Sequence, residues 1–119
     1  MSRNYSTIAY GLLNKVDIYN KTRDAYKDIT DPEVRVICED QIMEQYAGIY
    51  GEVKSFSKED RSAIIDAASH TIDSINKDIR DYAPAYVNYL ALKDFVSVVN
   101  TDEQSAANLG LDDGMDCDN

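Results

Sequence analysis

Apolar residues recur at helical intervals along most of the chain. From about Ser6 to Asp28 they fall at Ile8, Leu12, Tyr19 and Tyr26, with Tyr5 leading in, which is the period of a helix and not the alternation of a strand. Thr30-Asp31-Pro32-Glu33 then resets the chain. Asp31 can cap a second helix with Pro32 at its first position, where the missing N–H costs nothing. Thr30 with Glu33 also reads as a capping box, so two starts one residue apart stay open. This helix is predicted to run to about Val53. Val34, Cys38, Ile42, Ile49 and Val53 form its apolar side, joined by Tyr46 and Tyr50, and Gly48 and Gly51 weaken its last turns.

Residues 54–57 form a short connection, and Ser57 followed by Glu59 and Asp60 is a good helix start. The third predicted helix gathers Ile64, Ala68, Thr71, Ile72, Ile75, Ile79 and Tyr82 on one side and sets Glu59, Asp66, His70 and Asp73 opposite. Pro84 is expected to end or kink it near Tyr82 or Ala83. Residues 85–99 are apolar nearly all round, the pattern of a central bundle helix or of a segment entering a subunit interface. The run Val96–Val99 leaves its end open between helix and strand. Thr101-Asp102-Glu103 starts one short turn, and residues 110–119 carry the composition of a disordered segment. The expected fold is all-α: a single small helical domain over residues 1–100, with an acidic, flexible tail over 101–119.

With 119 residues, 44% of them hydrophobic, the chain suffices for one domain with a core of its own. Its 22 acids and 12 bases give a formal charge of -10, against nucleic acid or an anionic membrane as direct partners and in favour of a basic protein groove. The charge is uneven: residues 1–58 hold 9 acids and 8 bases, residues 59–119 hold 13 acids and 4 bases. Cys38 and Cys117 are far apart and suggest no disulfide framework, so a reduced, cytoplasmic setting is expected. The first residues show no signal peptide, and no stretch approaches a membrane span.

Reactive chemistry is sparse. His70, the lone histidine, lies on a polar helix face and reads as a solvated side chain. Neither cysteine has a nearby histidine to activate it, and no Cys/His set has zinc spacing. The tail acids Asp112, Asp113, Asp116 and Asp118 lack the register and closing Glu of a calcium loop. No glycine-rich phosphate loop is present. Neither an enzyme nor a cofactor or metal site is expected.

What the pattern does offer is acid at helical spacing. Asp17, Asp24 and Asp28, then Glu33, Asp40 and Glu44, then Glu59, Asp66 and Asp73 each fall within a narrow stripe of a helix. Steps of seven and four residues span roughly 10 and 6 Å, coarsely the spacing of charges along a nucleic-acid strand. Such ridges are also what any amphipathic helix shows to water, and Lys21 interrupts the first while Lys77 and Arg80 extend the third with opposite charge. The chain has 9 Tyr and no Trp, and Tyr46, Ile49, Tyr50 and Val53 cluster near a helix end, as core or as a dimer contact.

Over roughly residues 5–53 the sequence resembles the Ocr family of phage anti-restriction DNA mimics. The resemblance rests on Ala9-Tyr10 followed by Leu12-Leu13, on Asp28-Ile29 leading into a helix with Val34, Val36 and Ile42, and on Tyr46-Ala47-Gly48-Ile49-Tyr50. It implies a homodimer whose carboxylates stand in for DNA phosphates, with a type I restriction-modification or related bacterial defence enzyme as partner. It also implies action in the host bacterial cytoplasm and no cofactor. The chain departs from that family in its many Lys and Arg and in the apolar segment 85–99, where a dense acidic helix would sit. The alternative is an inhibitor or immunity-type module that binds another host protein through an apolar, tyrosine-rich surface. A subunit of a helical assembly is a third reading.

Overall fold

The computed structural model describes residues 4–73 and 83–113, with side chains as far as residue 108. They form α1 (Tyr5–Tyr26), α2 (Pro32–Lys54), α3 (Lys58–His70) and α4 (Pro84–Asp113), with no strand among the described residues. The all-α expectation holds.

Side-chain caps set the helix starts. Asn4 accepts from the Thr7 amide at 3.0 Å, and the Ser57 hydroxyl accepts from the Asp60 amide at 3.1 Å. Asp31 accepts from the amides of Glu33 and Val34 at 3.0 and 3.3 Å, which decides between the two starts open in the sequence. Each such cap is worth about 1 kcal/mol.

The helix ends differ from expectation. Helix α1 stops at Tyr26, and Asp28 lies in the turn that follows. Helix α3 stops at His70, well before Pro84. Both the N–H and the hydroxyl of Thr71 turn back to the Ala68 carbonyl, at 3.1 and 2.7 Å, and the Ile72 amide bonds Ser69 at 3.2 Å. These are i→i−3 bonds, which tighten and close a helix. The expected continuation through Ile75, Ile79 and Tyr82, with Lys77 and Arg80, lies outside the described residues. Pro84 opens α4, where its fixed φ suits a first turn. The Val96–Val99 run is helical: Leu92, Phe95, Val96 and Val99 share one buried face at i, i+3, i+4 and i+7, and that burial overrides β-branched preference. Helix α4 then continues through Asp113, where the sequence suggests a break after Asn100 and one short turn. The tail residues 114–119 lie outside the described residues.

Helices α1 and α4 each pack on the other three, while α2 and α3 flank them and barely meet. The core joins Ala9, Leu12, Val16 and Tyr19 to Ile49 and Val53, Ile64 and Ala68, and the apolar face of α4. Leu12, Val16, Val53, Ile64, Leu92 and Val99 are sealed, each contributing about 1.5–3 kcal/mol relative to exposure. No helix covers the start of α2: residues 31–37 are all exposed, and Cys38 is the first buried position. Val34, expected on the apolar side, is therefore exposed.

One charged group is buried with the core. Arg61, near the start of α3, is 2% exposed. Its Nε donates to the Phe56 carbonyl at 2.9 Å, Nη1 to Asn100 Oδ1, and Nη2 to Glu103 Oε1 at 2.7 Å. A buried guanidinium is tolerable only with its donors satisfied. These partners also explain why α4 does not end at Asn100. Arg61→Ala is expected to lower stability by about 3 kcal/mol, and Glu103→Gln, whose carboxylate is partly solvated, by about 1 kcal/mol. Urea midpoints with an unchanged slope would check both.

Candidate functional site

The three acidic ridges do not survive equally. In the first, Asp17 is half-buried on the side of α1 that meets α4: its carboxylate accepts from Lys21 Nζ at 2.9 Å and from Asn88 Nδ2 at 3.0 Å. Asp24 is exposed on α1 and Asp28 exposed beyond its end. In the third, Glu59 and Asp66 stand outward on α3, but Asp73 lies past the helix, 3.3 Å from Nδ1 of the exposed His70. Only the second ridge is whole. Glu33, Asp40 and Glu44 all lie on α2, within an arc of about 40° at 100° per residue, and all are exposed. None of the three has an ion pair among the described residues.

The ridges also point in different directions. Helix α1 meets α2 along Lys15, which pairs with Glu52, and Tyr26, whose hydroxyl donates to Gln41 at 2.9 Å. Asp17 faces α4 on the other flank of α1. Helices α2 and α3 lie on opposite sides of the α1/α4 pair. One flat partner surface can engage the α2 ridge but not all three together.

The tyrosine cluster is largely core. Ile49 is 2% and Val53 1% exposed, so neither is available to a second copy. Tyr46 packs on Phe95 with ring centroids 4.8 Å apart and stacks on Tyr50 at 6.4 Å. The Tyr50 hydroxyl donates to Asp102 at 2.6 Å. Ile49 and Val53 are thus committed to the core, while Tyr46 keeps 38% of its surface exposed and Tyr50 is partly exposed.

Comparison with family models, curated proteins and solved structures returned no match.

Around the α2 ridge lies a feature that the sequence pattern did not single out. Val36, Met43 and Ala47 run along one side of Asp40, and Ile37 and Gly48 along the other, at i, i+7 and i+11 spacing. Ile37 is 67% and Met43 68% exposed. The signal was present as apolar residues off the core stripe, legible only once the core face was known. Beside them, Lys15, Ile18, Gln45, Gly48 and Ile49 line an open groove of about 250 Å³ between α1 and α2. Among the described residues the Gln45 side-chain oxygen, buried there, has no hydrogen-bond partner. A Cβ at Gly48 or Gly51 would meet no atom within 4 Å, so nothing in the chain's own packing requires glycine at either. Among the described residues no cluster of His, Cys, Asp or Glu could hold a metal ion, and no helix is long and apolar enough to cross a membrane.

Gly48→Ala is expected to raise stability by about 1 kcal/mol, as a mid-helix exchange without a clash, read as a higher urea midpoint. A second prediction concerns acid. The hydrogen bond from Lys21, then that from Asn88, holds the Asp17 carboxyl below the ordinary aspartate range, against the opposing pull of desolvation. A folded value below the unfolded one stabilises fully above the unfolded value, about 3.9, and loses that contribution as pH falls through the folded value. Asp17→Asn should therefore flatten the decline of the urea midpoint over roughly pH 5 to 2.

Proposed function

We propose that the chain is a DNA-competitive inhibitor, in which an acidic helix takes the place of DNA in the cationic groove of a bacterial type I restriction-modification enzyme or a related defence enzyme. The observation that carries this reading is the intact α2 ridge: Glu33, Asp40 and Glu44 aligned and exposed, with no ion pair among the described residues, on a helix whose first turns stand clear of the bundle. Carboxylates held by internal bases would have little field left to offer. These three keep theirs, and the net charge of -10 adds long-range attraction to a basic surface. The contact is narrower than three parallel ridges imply, because Asp17 and Asp73 have partners of their own and α3 faces away. Glu59 and Asp66 would add to the field and not to the contact. The alternative, binding through the tyrosine cluster, has less support, since Ile49 and Val53 are committed to the core.

Binding to a purified type I modification methyltransferase, measured by calorimetry with and without duplex DNA, tests the reading. Affinity is expected to fall at least about tenfold between roughly 0.05 and 0.2 M salt, and duplex DNA to compete. Combining Glu33→Gln, Asp40→Asn and Glu44→Gln should cost about 2 kcal/mol of binding. The pair Glu59→Gln and Asp66→Asn should cost well under that. Binding that is indifferent to DNA would sink the proposal.

A further inference from the structure

We infer that the outward face of α2, with the α1/α2 groove beside it, is a docking surface for a basic amphipathic helix of a partner protein. This inference rests on the reading that the target is a cationic protein site, and it names the form that site takes. Three observations meet on the face. The acids Glu33, Asp40 and Glu44 are unpaired among the described residues and call for cations opposite. Val36, Ile37 and Met43 interleave with them and are exposed by more than half. Gly48 and Gly51, with the small Ala47 nearby, let another backbone come close, and a Cβ at either glycine would meet no atom of the described residues within 4 Å.

A bare phosphate-binding groove would explain the acids but not the apolar side chains, which gain nothing from cations. Exposed Val36 and Ile37 also serve α2 poorly, being β-branched and wet. Both kinds of residue are used if the occupant carries Lys or Arg along one edge and an apolar stripe beside it, the pattern of a helix laid into a groove. One apolar side chain of that helix would enter the 250 Å³ recess between Ile18 and Ile49. A donor on it would satisfy the Gln45 oxygen. A basic helix is also what many DNA-binding proteins offer to the major groove, so the occupant suits a DNA competitor. A second copy of this chain fits less well: a two-fold contact across α2 would bring Glu44 and Asp40 against their own mates.

The test uses the full chain with labelled Ile, Leu, Val and Met methyls and two synthetic probes of equal charge, a leucine-lysine amphipathic helical peptide and oligolysine. The amphipathic peptide is expected to shift the methyl signals of Ile18, Ile37 and Met43 and to bind at least about tenfold more tightly than oligolysine. The combined variant Ile37→Gln, Met43→Gln should lose most of that difference. So should Gly48→Leu, which fills the recess and whose fold is checked by its urea midpoint. Equal binding of the two peptides, shifts centred instead on Val87 and Leu90 of α4, or unchanged affinity in both variants would overturn the inference. Self-association abolished by Met43→Gln would overturn it in favour of a second copy. The outcomes separate from those of the proposed function: a methyltransferase that DNA does not displace, with the peptide still mapping to α2, removes only the DNA-competitor reading. DNA-competed inhibition that survives Ile37→Gln, Met43→Gln unchanged removes only this one.

Discussion

A single buried guanidinium sets how α2 is presented. Arg61 links the α2–α3 connection, through the Phe56 carbonyl, to Asn100 and Glu103 on α4. Charge in a core is costly, and the cost is met only because every bond runs to a fixed partner. That fixes the register of α4 against α3. The same stretch of α4 holds α2: Phe95 lies under Tyr46, and Asp102 accepts from Tyr50. All of these contacts reach the C-terminal half of α2. Its first turns, residues 31–37, are all exposed, so the helix is anchored towards one end and free on its outer face at the other.

The weight of each interaction follows from where it sits. Surface pairs such as Arg35–Glu39 and Lys21–Asp17 contribute at most about 1 kcal/mol and weaken with salt. The sealed apolar side chains outweigh them. Exposed acids are thus not what folds this chain, and Asp40 with Glu44, at i and i+4, repel each other mildly. Val36, Ile37, Gly48 and Gly51 on the same face also work against the isolated helix through propensity or wet apolar surface. Several locally unfavourable choices on one face of one helix, none needed by the core, point outward for their explanation.

Much of this was legible in the sequence, for identifiable reasons. Ser57 and Asp31-Pro32 announced helix starts because a cap is a local device, written within three residues of its effect. The core stripe of α3, and that of α1 at Leu12 and Tyr19, were legible because burial imposes a period, whereas α4 read as apolar nearly all round and its buried face of Leu92, Phe95, Val96 and Val99 did not stand out. What was not legible depends on distance or on small local competitions. Arg61 reads as one more charge in a polar first turn, since its side-chain partners are 39 and 42 residues away. The end of α3 hangs on a threonine hydroxyl turning back on Ala68, and with it Asp73 leaves its ridge. Asp17 sits at the correct spacing, but Asn88 claims it from another helix. The α2 ridge lay wholly inside one uninterrupted helix, and so it alone kept the geometry that spacing suggested. Val34 misled because apolar identity does not say whether another helix reaches that far along.

Acid and apolar groups on one face solve different parts of a recognition problem. Charge acts over about a Debye length, roughly 8 Å at physiological salt, and hastens encounter without fixing a register. Three carboxylates in line would accept a basic strip in several positions along α2. Apolar contacts act only at touching distance, and side chains as unlike as Val36, Met43 and the vacancy at Gly48 cannot be interchanged by sliding a partner one turn. The acids therefore supply attraction and its salt dependence, while the flanking lines supply the position. A surface made only of carboxylates would hold any basic groove about equally, so choice among such grooves has to come from the residues between the charges.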